Sequence, residues 1–398
     1  MPKTKPKTKH SGYLLAVRHH FSTFGASRPI AAILVLILIV LLVTHAASGP
    51  NQLTDAYMQT ANPTRNNSVV LPISNNLHTD QQAVVIDGQT KLYERYEPNK
   101  ANYAIYVATG TSLATLGSPS AAILPGQMQT SPVDGIGCWG IYAPSVMVDP
   151  TDSTHVSMVF EADPHSGPGQ PGYCPWEPKT TNQYIGMADS TDRGVTWSHF
   201  RRLIDIPKGS TGANVGTPAI IYLPNLREIG IYYHQNPGNN QALIPHMRIY
   251  RTTTPSVMTY NSQFSDRIIS MTLGGQPLTN SWSSGVGRAD ITYWQNGASG
   301  TSDGYYYMIM EAFNGSAQCL VSGGTNKDKI LIARSRTITG PFAVIDPGWT
   351  PVNLVTCAGP DMPTWFVDAQ KNYHIISTDD IRDSSGADHF RLQRWDLH

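Results

Sequence analysis

The stretch VGTPAIIYLPN, Val215–Asn225, returns in register 71 residues later as VGRADITYWQN, Val286–Asn296. Both copies set β-branched and aromatic residues between Gly, Pro and Asn, which is how a short strand bounded by turns reads. Self-similarity at such a period marks a repeat architecture. Weaker copies are TDQQAVVIDG (Thr79–Gly88), IYAPSVMVDP (Ile141–Pro150) and AGPDMPTWFVDA (Ala358–Ala369). Starts near 79, 141, 215, 286 and 358 define five units, spaced by 62, 74, 71 and 72 residues.

Each unit continues alike. A second strand follows in KLYERY (Lys91–Tyr96), VSMVFEA (Val156–Ala162), EIGIYYH (Glu228–His234), YYYMIMEAF (Tyr305–Phe313) and NYHIIST (Asn372–Thr378). A third strand then ends in a turn, as in YIGMADSTDRGVTWS (Tyr184–Ser198) and ILIARSRTITGPF (Ile330–Phe342). Four short strands per unit, five times over, predict an all-β chain folded as a five-bladed β-propeller across residues 76–398. A β-sandwich with chance similarity is the competing architecture.

Inside the second unit, Ser190, Asp192, Gly194, Thr196 and Trp197 spell Ser-x-Asp-x-Gly-x-Thr-Trp, the Asp-box pattern familiar from sialidases. Its place between third and fourth strands makes it a turn. Ser and Asp can bond the turn backbone, Gly supplies a positive φ, and Trp plugs the blade edge. That turn lies on the face away from the inner-strand starts, so the box reports architecture and names no reaction. A sialidase would also need a cluster of arginines for its substrate's carboxylate. Of the inner-strand starts, only the fourth unit offers one, Arg288.

The N-terminus reads separately. Residues 1–54 hold no Asp or Glu but carry Lys3, Lys5, Lys7, Lys9, Arg18 and Arg28. The apolar run IAAILVLILIVLLVTHAA (Ile30–Ala47) would span about 27 Å as a helix, close to a bilayer's hydrocarbon core. The expectation is a basic cytoplasmic tail (1–29), a transmembrane signal-anchor (30–47) and a linker (48–75), with the propeller outside the cytoplasm. Cleavage after THAASG, giving a secreted protein, is the alternative. Beyond the tail, 22 basic and 28 acidic residues leave a formal charge of −6, which argues against nucleic acid as a partner. Cys138, Cys174, Cys319 and Cys357 are an even number in an oxidising compartment and suggest two disulfides. Their placement in loops of one face favours 138–174 and 319–357. No Cys-x-x-Cys or His-x-x-x-His spacing suggests structural zinc.

Taken together, HTDQQAVVIDGQTKLYERY (His78–Tyr96), IGMADSTDRGVTWS (Ile185–Ser198) and the turn Ser335-x-x-x-x-Gly340-Pro341-Phe342 resemble glycoside hydrolase family 43 and its five-bladed relatives. The resemblance covers most of residues 79–398. It implies hydrolysis of pentose- or furanose-containing glycans by three carboxylates at inner-strand starts: a base Asp, an Asp that tunes pKa and an acid Glu. It implies no cofactor, although such folds admit a structural calcium. Asp80 falls at or beside the base position. The matching slots of the later units read Ala143, Thr217, Arg288 (with Asp290 two residues on) and Asp361. No acidic residue stands at the family's Glu-Gly-Pro position, and Glu311 is the nearest substitute. Asp290 or Asp361 is then the modulator, and Asp361 or Glu311 the acid.

His78, Trp139, His234 and Arg288 lie at or beside the funnel mouth and are candidates for contacting sugar. Each residue also has a plainer reading: Asp80 and Asp361 as turn caps, Asp290 with Arg288 as a local ion pair, Glu311 as a groove residue, the aromatics as packing. A non-catalytic propeller that binds glycan or cell-wall polymer through the same funnel is the alternative from another class, and a rim that docks proteins is a third.

Overall fold

A computed structural model describes residues 68–71, 78–96, 104–124, 140–163, 183–205, 214–237, 243–273, 275–277, 285–296, 301–313, 329–346, 359–382 and 388–396. The apolar run Ile30–Ala47, Trp139 and the four cysteines lie outside these residues, and with them the expected anchor and disulfides. Among the described residues no helix is long and apolar enough to cross a membrane.

The strands run β1 (Ser68–Val70), β2 (His78–Ile86), β3 (Gln89–Tyr96), β4 (Ala104–Gly110), β5 (Ser120–Ile123), β6 (Gly140–Val148), β7 (Val156–Asp163), β8 (Tyr184–Ser190), β9 (Ser198–Ile204), β10 (Asn214–Leu223), β11 (Glu228–Asn236), β12 (Ile244–Tyr250) and β13 (Phe264–Ile268). They continue with β14 (Met271–Leu273), β15 (Gln276–Pro277), β16 (Gly285–Asn296), β17 (Thr301–Phe313), β18 (Lys329–Ser335), β19 (Phe342–Asp346), β20 (Gly359–Val367), β21 (Tyr373–Arg382) and β22 (Asp388–Asp396). They form five sheets: β2–β5, β6–β9, β10–β13, a six-stranded sheet ordered β15-β14-β19-β18-β17-β16, and β20-β21-β22-β1.

Two features depart from the plain repeat. The short hairpin β14–β15 joins the fourth sheet by pairing β14 parallel to β19, Met271 opposite Phe342. Strand β1 falls within the expected linker, yet it pairs with β22 and supplies the outer strand of the last sheet. The first and last described strands thus share one sheet.

Inner strands β2, β6, β10, β16 and β20 contact one another in a closed ring. Side chains on a strand alternate between faces, so each sheet packs on both neighbours. Leu92 joins the seam with the fifth sheet and Tyr93 the seam with the second. Likewise Ile231 packs toward the second sheet and Tyr232 toward the fourth, and Met308 and Ile309 divide between the third and fifth. Burial on both faces explains a wholly buried strand such as β8, YIGMADS. It also fixes Gly186: a Cβ there would strike the ring of Phe160, its cross-strand partner. The architecture is an all-β propeller.

The Ser190–Trp197 segment is a turn joining β8 to β9. Gly194 N–H donates to Ser190 Oγ at 2.8 Å, and Ser190 Oγ donates to Asp192 Oδ1 at 2.7 Å. Asp192 also accepts from the N–H of Thr196 (2.8 Å) and from its hydroxyl (2.6 Å). Burial pushes the Asp192 carboxyl up, but bonds from Thr196, Ser190 and Val195 outweigh it and hold the group at about 2. Gly194 has φ +75°, and a Cβ there would strike the Tyr93 hydroxyl. Trp197 meets Tyr93 edge-on, ring centroids 5.8 Å apart. Register places this turn at the opposite end of the inner strand from the features described next.

Candidate functional site

Each inner strand begins with a bulge, two residues standing against one on the second strand. The residues that the ladder skips are 80–81, 143–144, 217–218, 287–288 and 362–363. Asp80, Ala143, Thr217 and Met362 take positive φ there, at 51°, 51°, 46° and 47°. Such backbone strain is uncommon outside glycine. Pro144, Pro218 and Pro363 fill the second place, where no ladder N–H is needed.

This geometry corrects two slots. The residue equivalent to Asp80 is Gly287 in the fourth sheet, not Arg288, and Met362 in the fifth, not Asp361. Asp361 stands one residue earlier and pairs with Thr378. The letters set Gly216 level with Gly287, whereas the register sets it level with Val286.

Asp80 is buried at 4% exposure. Arg95, from β3, lies 3.2 Å from its Oδ2, and Arg288 lies 3.3 Å from its Oδ1. Arg288 comes from the fourth sheet, whose ring neighbours are the third and fifth. Its guanidinium nevertheless donates to Gln81 O (2.9 Å) in the first sheet and Pro144 O (3.4 Å) in the second. It therefore lies across the central channel, and its ion pair is with Asp80, not with Asp290. Gln81 ties the first sheet to the fifth by donating to Met362 O at 2.9 Å and accepting from Thr378 Oγ1 at 2.7 Å.

Asp290 lies two residues beyond Arg288 on β16 and interacts with its charge. Its Oδ2 accepts from Trp365 N–H (2.9 Å) and its Oδ1 from Ile291 N–H (2.8 Å). Gln82, which also accepts from Val146 N–H, bonds it from the far side. Burial raises the Asp290 carboxyl to about 6, against the downward pull of those bonds and of Arg288. A carboxyl raised on folding contributes stability that is whole below its unfolded value near 3.8 and is lost as pH climbs through about 6. That contribution is expected to fall across the window while the one from His234, lowered by burial from 6.5 to about 4, rises and offsets it, so Asp290→Asn is expected to leave a net rise of unfolding free energy with pH. Denaturant midpoints measured between pH 4 and pH 7 check this.

On the second and third sheets the channel wall holds another group of bonds. Tyr142 OH donates to Glu161 Oε1 at 2.6 Å and accepts from Gln183 Nε2 at 2.5 Å. Thr217 N–H donates to Glu161 Oε2 at 2.7 Å. Thr217 Oγ1 is 2.7 Å from His234 Nδ1, and desolvation lowers His234 to about 4, so its imidazole is neutral at pH 7. The Arg95 guanidinium lies 5.8 Å from the Tyr142 ring centre, linking this group to Asp80.

Of the residues singled out in the sequence, Asp80, Arg288 and Asp290 meet in the channel and His234 lines its wall. Glu311 instead faces its own bulge and accepts from Arg288 N–H at 3.3 Å. His78 opens β2 and Asp361 lies in β20, by backbone position alone. Sequence reasoning missed Arg95, Tyr142 and Glu161. A signal existed: Arg95, Glu161, His234 and Thr378 share one register, opposite the residue preceding each bulge. Among the described residues no group of three or more His, Cys, Asp or Glu could hold a metal ion.

No family model and no curated protein matches the sequence. The fold is similar to that of a thermostable family-43 glycoside hydrolase (TM-score 0.53, 13% identity, covering 82% of this chain and 91% of that one). It is also similar to a Cellvibrio cellulosa α-L-arabinanase complexed with arabinohexaose (TM-score 0.53, 12% identity, 81% and 93% covered). An endo-arabinase from Bacteroides thetaiotaomicron is a third such structure (TM-score 0.52, 12% identity, 83% and 97% covered). At these identities the likeness is one of fold.

Proposed function

We propose that this chain is a membrane-tethered, extracytoplasmic five-bladed propeller, each sheet one blade, that hydrolyses glycans containing pentose or furanose sugars. The observation that carries the reading is Asp80: a carboxylate on a strained inner-strand bulge, held from both sides by guanidinium groups at the channel. A carboxylate so fixed suits the base that takes a proton from attacking water. Arg95 and Arg288 orient it, and Asp290 offsets the charge of Arg288. The fold shared with glycan-cleaving enzymes supports the substrate class. The basic tail and apolar run support the tether, and the even cysteine count supports an oxidising compartment with bridges 138–174 and 319–357.

The second reading is a propeller that binds glycan without cleaving it. It is favoured by the other inner-strand bulges, which carry Ala143, Thr217, Gly287 and Met362 in place of a carboxylate. The purified full-length chain, given arabinan, xylan, arabinogalactan and fructan, is expected to release reducing ends from at least one. Retention on a polymer without release supports the binding reading instead.

A further inference from the structure

The hydrolase reading leaves one role open, the group that protonates the departing oxygen. The inner strand of the third sheet offers nothing for it: where a side chain would enter the channel wall before the bulge, there is Gly216. The space is occupied all the same. A Cβ on Gly216 would lie 2.7 Å from Glu161 Oε2 and 3.0 Å from the Glu161 carboxyl carbon. Gly216 is not among the residues with positive φ, so its backbone would accept a side chain. The Glu161 carboxyl is what a side chain there meets first.

We propose that Glu161, reaching over from the second strand of the neighbouring sheet, is the proton donor of this site. The inference rests on the hydrolase reading. Glu161 is 4% exposed. Its bond to Tyr142 Oη, at 2.6 Å, fits either protonation state: the phenol donates to the carboxylate, or accepts from the carboxylic acid. The Thr217 N–H fixes the other oxygen. Asp80 has a guanidinium against each oxygen, so two carboxylates on adjacent sheets sit in unlike surroundings, which is what separates an acid from a base. In the step, the Glu161 proton passes to the glycosidic oxygen as its bond to the anomeric carbon breaks. Water adds to that carbon and gives a proton to Asp80. Exchange with solvent returns a proton to Glu161 and removes one from Asp80.

The experiment compares the full-length wild-type chain, Glu161→Gln, Asp80→Asn and the pair Glu161→Ala with Glu161→Ala/Gly216→Glu. Two substrates are used: the polymer that the wild type cleaves, and a dinitrophenyl glycoside of the sugar it releases. Glu161→Gln is expected to lose about 10²-fold or more on the polymer. It is expected to lose far less on the dinitrophenyl glycoside, whose leaving group needs no proton, and to lose the basic limb of the pH–rate profile. Asp80→Asn loses activity on both. Gly216→Glu restores polymer cleavage to the Glu161→Ala chain by returning a carboxyl to the same space. Equal loss on both substrates, or Glu161→Gln within about twofold of wild type, overturns the assignment while the hydrolase reading stands. A wild-type chain that cleaves nothing overturns that reading itself.

Discussion

Asp80→Asn is expected to lower kcat by about 10²–10⁴-fold on any glycan the wild-type chain cleaves, with a much smaller change in KM. Asparagine keeps the shape of the group and can still accept from Arg288, but it cannot take a proton from water. The substitution also turns an amide NH2 toward Arg95, which the carboxylate held at 3.2 Å. A stability cost of about 1–3 kcal/mol is expected with the loss of that charge-assisted contact. Steady-state kinetics beside a denaturant titration separate the two effects. A variant that unfolds at an unchanged midpoint and turns over like wild type would remove Asp80 from the mechanism.

Arg288→Met is expected to be the most destabilising single change in the channel, by about 3–5 kcal/mol, because it removes one member of a buried ion pair. Methionine fills similar space, but Asp80 Oδ1, Gln81 O and Pro144 O all lose their donor. Those acceptors belong to two sheets on the far side of the ring, so the loss falls on cohesion across the channel. Arg288→Lys is expected to recover only part of it, since one ammonium cannot reproduce the planar fork that meets three oxygens. Equilibrium unfolding in urea measures both variants. A loss below about 1 kcal/mol for Arg288→Met, the range of a surface pair, would show that the guanidinium carries little of the closure.

Much of the architecture was legible because one bulge recurs. Inner strands expected near 79, 141, 215, 286 and 358 begin at 78, 140, 214, 285 and 359. Ala143-Pro144, Thr217-Pro218 and Met362-Pro363 repeat a strained residue followed by one that needs no N–H, and a repeated backbone need leaves a repeated letter pattern. The site was less legible. Gly216 and Val286 are the residues before their bulges, so matching Val215-Gly216 to Val286-Gly287 ran one residue out of step and moved the fourth slot off Gly287, while Asp361, the residue before the fifth bulge, drew that slot off Met362. Asp80 and Asp290 were found because acidic residues stand out at strand starts. Arg95 and Glu161 were missed because they belong to second strands and reach the channel only through cross-strand pairing. Arg288 was noticed, but its partner is 208 residues away in sequence. The closing strand β1 was hidden by its three-residue length and polar surroundings.

The most direct test of the central claim, that Asp80 activates a water molecule against the glycosidic carbon, is the anomeric configuration of the first-formed product. Proton NMR of the early reaction, read before mutarotation, reports it. The account predicts inversion, because a base that works through water delivers the oxygen to the face opposite the leaving group. Retention would contradict it, by making the carboxylate a nucleophile.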